Sequence, residues 1–179
     1  MRIISGKYKG RQINPPKSIR ARPTTDYAKE ALFNVLENRF DLEETNVLDL
    51  FAGTGNISFE FASRNVKRIV IVEKDRVHVS FIAKTVKNLQ LAGVDIIRGD
   101  VFQVLKRLNE SFDIIFCDPP YHMEDIHLIP SLVMKNNLLT RDGILIIEHS
   151  SRVILKDLHG FVEHRYYGNV NFSFFQFTL

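Results

Sequence analysis

The sequence predicts a doubly wound α/β chain: a mostly parallel sheet with helices on both faces, an antiparallel last strand, and a small N-terminal β-hairpin. Three observations carry that reading. Five short apolar runs recur along the middle of the chain, longer stretches of helical period separate them, and two aromatic-rich runs end the sequence around a Gly-Asn pair. With 179 residues, 45% of them hydrophobic, there is chain for one packed core. A single domain over 1–179 is therefore expected, with 1–25 as a basic arm and 26–179 as the core.

At the N-terminus, 2–6 and 11–14 are short extended pieces around the glycine-bearing turn 7–10, ending at Pro15-Pro16, which reads as the hairpin. After a linker containing Pro23, Thr25 is placed to cap a helix running to Arg39, whose apolar positions Ala28, Ala31, Leu32, Val35 and Leu36 recur every three or four residues. Residues 47–51, 69–73, 94–97, 112–117 and 144–147 then read as strands whose near-continuous apolarity suits a sheet covered on both faces. Between them, 56–64, 76–92, 101–109 and 124–139 have the length and period of crossover helices. The tail runs 160–167 and 169–177 meet at Gly168-Asn169 and read as an antiparallel pair closing one edge. Phe172, Phe174, Phe175 and Phe177 belong to its core side.

Composition narrows the function classes. The lone Cys117 forbids an internal disulfide and a cysteine-rich zinc site, which points to a reducing compartment, the cytoplasm. No stretch approaches 18 consecutive apolar residues, and the opening MRIISGKYKG is charged where a signal peptide is apolar, so no membrane partner is expected. The net charge of +3 is unevenly spread. Arg2, Lys7, Lys9, Arg11, Lys17, Arg20 and Arg22 all fall in the first 25 residues, which hold no Asp or Glu, and the rest of the chain is acidic. Such an arm suits phosphates, because each basic group that neutralises one releases counterions.

In an open parallel sheet, ligands bind beyond the carboxyl ends of the strands. The first strand runs into Asp49-Leu50-Phe51-Ala52-Gly53-Thr54-Gly55, a turn whose glycines let backbone approach a ligand. A dinucleotide template would place its third glycine at Ser58, which weakens a pyrophosphate reading. Glu73 ends the second strand, where a carboxylate accepts from ribose hydroxyls. Asp100 follows the third and is placed to accept from an adenine amino group, with Phe102 beside the purine face. Asp118-Pro119-Pro120-Tyr121 ends the fourth. Two prolines stiffen that turn and keep its carbonyls out of a following helix. A nucleobase amine is a poor nucleophile because its lone pair is delocalised. Asp118 and the Pro119 carbonyl, accepting from that NH2, orient the lone pair and favour proton loss, while Tyr121 offers a face for an unpaired base.

These residues resemble a known family. Asp118 to Tyr121 is similar to the catalytic tetrad of S-adenosylmethionine-dependent methyltransferases acting on exocyclic amines, and Asp49 to Gly55 to their cofactor turn. Arg2-Ile3-Ile4-Ser5-Gly6 with Gly10-Arg11, Arg22-Pro23-Thr24-Thr25-Asp26, Lys29-Glu30-Ala31-Leu32-Phe33-Asn34 and Tyr167-Gly168 resemble the bacterial guanine-N2 methyltransferases of 16S ribosomal RNA. The resemblance implies a Rossmann-like methyltransferase sheet with a reversed final strand and S-adenosyl-L-methionine as cofactor. It also implies action on a guanine in small-subunit rRNA or a partly assembled 30S particle, with Asp26 and Glu30 near the ammonium of the cofactor. The chain departs from the family pattern after Gly55, where Asn56-Ile57-Ser58 replaces small residues and a glycine. A monomer is expected.

Three rivals stand beside this reading. A DNA adenine-N6 or cytosine-N4 methyltransferase shares the tetrad chemistry, but the chain has little room for a target-recognition domain. A noncatalytic RNA-binding assembly factor need not bind the methyl donor. A nicotinamide dehydrogenase is disfavoured by Ser58. The pairs His122/His127 and His159/His164 lack metal-ligand spacing, so no metal is expected, and Cys117 reads as core packing.

Overall fold

A computed structural model describes residues 1–16, 19 and 24–177. The core elements are α1 (Asp26–Glu37), β1 (Asn46–Leu50), α2 (Asn56–Ser63), β2 (Arg68–Glu73), α3 (Arg76–Leu89), β3 (Val94–Arg98), α4 (Val101–Leu105), β4 (Phe112–Cys117), α5 (Leu128–Lys135), β5 (Leu139–His149), β6 (Phe161–Tyr167) and β7 (Val170–Phe175). The seven strands form one sheet in the order β3-β2-β1-β4-β5-β7-β6. β1 to β5 run parallel, and β7 pairs antiparallel with both β5 and β6. The reversed last strand is therefore inserted between β5 and β6, and β6 forms the edge.

Side chains alternate across each strand, which explains the unbroken apolar runs. Val47, Ile69, Ile71, Ile114, Phe116, Ile144 and Ile146 pack under α1, α2 and α3. Leu48, Leu50, Val70, Val72, Ile115, Cys117, Leu145 and Ile147 pack under α4 and α5 on the opposite face. Both faces of the central strands β1, β2 and β4 are covered, so their middle positions are apolar, whereas the edge strands β3 and β6 carry polar residues within them. Cys117 is fully buried, and burial raises its thiol well above the usual range, so it is packing rather than nucleophile.

Element ends differ from the sequence expectation where local chemistry decides. The helix expected over 124–139 is divided into a short 3-10 turn, Glu124–His127, and α5, because Pro130 has no N–H to bond back across that boundary. α3 stops at Leu89 with Gln90 left-handed at φ 52°, and α4 holds only Val101–Leu105 before the polar stretch after it. The N-terminal hairpin is two extended segments sharing one antiparallel bridge, Arg2 with Gln12, tied by Ile3 N–H to the Arg11 carbonyl (3.0 Å) and Gly10 N–H to the Ile3 carbonyl (2.8 Å).

This arm is stapled to α2 rather than free. Gly6 sits at φ +79° against the Ser63 carbonyl, Lys7 N–H donates to that oxygen (2.7 Å), and Tyr8 N–H donates to Ser63 Oγ (3.0 Å). Beneath it lies Lys29, 1% exposed, whose ammonium donates to the Arg2 carbonyl (2.7 Å), Asn56 Oδ1 (3.0 Å) and Glu60 Oε1 (3.0 Å). A buried cation persists only with such a full set of acceptors.

Candidate active site

The strand order places the ends of β1, β2, β3 and β4 around one cleft of about 510 Å³. It is lined by Phe51, Gly53, Glu73, Asp100 and the whole tetrad Asp118, Pro119, Pro120 and Tyr121. A recess of about 60 Å³ adjoins it, sharing Phe51, Gly53 and Asp118 and adding Thr24, Asp49 and Asn56. Carboxylates from four strand ends thus share one space, as expected at the crevice of such a sheet.

Each is positioned by its own turn. After β1 the chain reverses at Phe51, a non-glycine residue at φ 59°, then at Gly53 and Gly55, also left-handed. A side chain on Gly55 would meet the Phe59 ring at 3.0 Å, so the turn lies close on α2. Left-handed backbone at a bulky residue marks strain held by surrounding structure. Gly53 N–H donates to Glu73 Oε2 (2.7 Å), while Glu73 Oε1 accepts from Lys74 and Asp75 N–H (2.8 Å each). Three backbone donors therefore fix the Glu73 carboxylate at the cleft wall. Asp100 caps α4 through Phe102 N–H (3.1 Å) and pairs with Lys74 (3.3 Å). Phe102 itself does not line the cleft: its ring stands edge-on to Phe51, 6.5 Å between centroids.

Asp49 is buried, and Ser58 Oγ donates a short hydrogen bond to it. Burial pushes its pKa up to about 7, with Ser58 opposing and the Glu73 charge reinforcing the rise. Ser58, which in the sequence only spoke against a dinucleotide, is thus the partner of the first strand's acid. Asp118 is half-buried. Burial, then the charges of Glu148 and Asp49, hold its carboxyl well above the usual range. Glu148, at the end of β5, is 2% exposed, accepts from Thr24 Oγ1 (2.9 Å), and is pushed by burial to about 7.

The sequence reading missed Glu148 and His78. The strand-end rule that found Asp118 points one residue past 144–147, straight to Glu148. His78 lines the cleft from α3, with Nδ1 buried, without a hydrogen bond, and 3.8 Å from Glu73 Oε1.

Other expected residues are placed elsewhere. Asp26 and Glu30 are exposed on α1 and line neither cavity. Asp26 is paired with Arg2 (3.0 Å), so its charge is already matched at the arm. Of the two proline carbonyls expected to be available, that of Pro120 accepts from Met123 N–H (2.8 Å) within the turn. Lys7 lies over the Tyr8 ring at 5.4 Å, and Lys9 and Arg11 are exposed. Lys17, Arg20, Arg22 and Pro23 lie outside the described residues. Among the described residues, no three His, Cys, Asp or Glu are grouped to hold a metal ion, and no helix is long and apolar enough to cross a membrane.

This arrangement has known counterparts. A family model described as conserved hypothetical protein 95 matches residues 1–176. Ribosomal RNA small subunit methyltransferase D of Buchnera aphidicola subsp. Baizongia pistaciae is 34% identical over 151 residues, 84% of this chain and 76% of its own. The protein of the same name from Haemophilus influenzae is 32% identical over 152 residues, 83% and 78% of the two chains. The solved structure of a hypothetical protein from Thermus thermophilus superposes with a TM-score of 0.85 at 28% identity, covering 99% of both chains.

Proposed function

The chain belongs to the family of conserved hypothetical protein 95 and of the ribosomal RNA small subunit methyltransferases D, and from that premise we propose that it methylates the exocyclic N2 amine of a guanine in small-subunit rRNA. S-adenosyl-L-methionine is the donor, and the cytoplasm, where that rRNA is made and assembled, is the place. One observation carries the reading. The tetrad Asp118-Pro119-Pro120-Tyr121 and the strand-end acids Glu73 and Asp100 border one cleft, and Asp49 borders the recess beside it.

The residues fit this cofactor. A cleft of about 510 Å³ is within the range of small-molecule sites. Asp49, Asp118 and Glu148 crowd three carboxyls whose charges raise one another or are raised by burial, so the site favours a cationic occupant. When bound, S-adenosyl-L-methionine supplies a methyl group already activated on a sulfonium. Glu73 is set to hold ribose hydroxyls. His78, with its unpaired Nδ1 beside that carboxylate, is a second polar contact on the same wall.

At the base, the Asp118 carboxyl oxygen and the Pro119 carbonyl accept the two N–H bonds of the guanine amine. The base stacks on Tyr121, 52% exposed at the cleft mouth, which requires it to be flipped out or unpaired. In the transfer the N2–CH3 bond forms as the S–CH3 bond breaks, and one amine proton leaves toward Asp118. Alignment of nucleophile and donor supplies most of the acceleration. Arg2, Lys7, Lys9, Arg11, Arg20 and Arg22 are the proposed RNA contacts. Arg2 serves through its exposed guanidinium while remaining paired to Asp26.

The test is incubation of the purified chain with methyl-labelled donor and small-subunit rRNA, naked or in undermethylated 30S particles, followed by nucleoside mass analysis. N2-methylguanosine is expected. N6-methyladenosine or N4-methylcytosine would transfer the reading to its chief rival, and absence of label from every substrate would overturn it.

A further inference from the structure

A second cavity, apart from the cleft, is a groove of about 620 Å³ between arm residues 11–16 and the outer face of α3. We infer that this groove holds the sugar-phosphate backbone of the rRNA strand beyond the target guanine, with Arg11, Arg76 and Lys84 as its phosphate contacts.

The helix wall is built by periodicity. α3 turns Ile82, Thr85 and Leu89 inward, and Arg76, Ser80, Lys84 and Asn88 therefore recur every fourth residue along one exposed stripe. At 1.5 Å per residue the stripe is about 18 Å long. Arg11 and Asn14 face it from the arm. Tyr8 holds the two walls together at the far end, its hydroxyl donating to the Leu89 carbonyl (2.8 Å).

The chemistry of the lining selects the occupant. Among the described residues, no Asp or Glu borders the groove, although the chain beyond the arm is acidic overall. Arg11, Arg76 and Lys84 make no ion pair with any described residue, whereas Arg2, Arg39, Arg64, Arg68 and Arg165 all do. Three such cations on two facing walls complement a polyanion. The neutral donors Ser80 and Asn88, alternating with Arg76 and Lys84, match a backbone, which accepts from charged and neutral side chains alike. Val77, 51% exposed on the same wall, and the half-buried Phe81 supply an apolar floor for a ribose or an unpaired base. Arg76 of the groove and His78 of the cleft wall both belong to the first turn of α3, so the helix contributes to both sites.

This inference rests on the rRNA methyltransferase reading, and the experiment separates the two. Filter binding of small-subunit rRNA is measured against salt for the wild type, for the double variant Arg76→Glu/Lys84→Glu, and for Lys106→Glu/Arg107→Glu at the end of α4 under the opposite face of the sheet. Two lost phosphate contacts should lower the slope of log affinity on log salt by about 1.4 to 1.8 in the first variant only. Donor affinity by calorimetry should be unchanged in both, which also shows that they are folded. An unchanged slope, an equal drop in the α4 control, or a loss seen with 30S particles but not with naked rRNA would overturn the groove assignment. A wild type that binds rRNA with the expected slope yet methylates no guanine would overturn the function instead, and leave the groove standing.

Discussion

The cleft and the arm groove are electrostatically opposite. The cleft is lined by Glu73, Asp100 and Asp118, with Asp49 in the adjoining recess and Glu148 buried behind them, and burial raises Asp49, Asp118 and Glu148. The groove gathers Arg11, Arg76 and Lys84, exposed and without an ion pair among the described residues. Exposed cations act over a Debye length and are screened by salt, so they capture and orient a polyanion without discriminating bases. Buried carboxyls act only on what reaches them, and strongly, because little water screens them. The contrast assigns capture to one region and chemistry to the other, and variants in each should move different observables.

The largest separation is expected from Asp118. Asp118→Ala removes the acceptor proposed to orient the amine, and methyl transfer should fall by about 10² to 10⁴. Donor binding and the salt slope of rRNA binding should remain. Tritiated-methyl incorporation beside calorimetry reads both, and near-normal transfer would break the division of labour.

On the groove side, the sharpest single change lies at Gly6. A side chain there would lie 2.0 Å from the Ser63 carbonyl oxygen, at a φ of +79°, so the arm must lift from α2. Gly10 offers the control: φ is +81°, yet no described atom lies within 4 Å of where an added methyl group would sit. Gly10→Ala therefore meets strain of about 1–2 kcal/mol without a clash. Gly6→Ala should weaken rRNA binding at least about tenfold, the size expected for losing several phosphate contacts at moderate salt. Donor affinity should be retained. Amide exchange at Ile3, Gly10 and Ile13, whose N–H groups close the arm, should quicken in Gly6→Ala and much less in Gly10→Ala.

The two regions are not equally legible in the sequence. The central sheet is, because its inner strands are buried on both faces and declare themselves as apolar runs. Asp49, Glu73, Asp100 and Asp118 are too, because strand ends point into the crevice by topology alone. Glu148 obeys the same rule, one residue past the apolar run 144–147 as Asp118 is one past 112–117, and is equally legible though unread. Ser58 and His78 cannot be assigned from spacing, since their roles arise from α2 and α3 crossing back over β1 and β2. The partner of Asp26 is likewise hidden from the sequence: only the docked arm shows its ion pair with Arg2. The groove is half visible. The basic arm is plain in the sequence, but its partner stripe on α3 looks like any solvated helix face until Tyr8 and Gly6 are seen to bring the two walls together.

The smallest expected effect is one of pH, and it probes the cleft alone. Asp49 and Glu148 titrate near 7 when folded, against ordinary values of 3.8 and 4.5, and Asp118 is raised as well. Between about pH 4 and 7 the unfolded chain gives up protons that folded Asp49 and Glu148 retain, so these two groups lower stability as pH rises through that window, and Asp118 acts in the same direction. His149, held below its usual 6.5 by burial, works the other way, costing stability as pH falls below that value. Three acids against one base leave a net fall in the melting temperature of the unliganded chain from pH 5 to 7. A cationic donor prefers the ionised acids, so its affinity should rise several-fold from pH 6 to 8, and the demethylated product, which has lost the sulfonium charge, should show a shallower rise. Glu148→Gln should flatten both trends without altering the salt slope at the groove. If product and donor gained equally with pH, or if the variant left the trend intact, the carboxyl cluster would not be what the cofactor's charge meets.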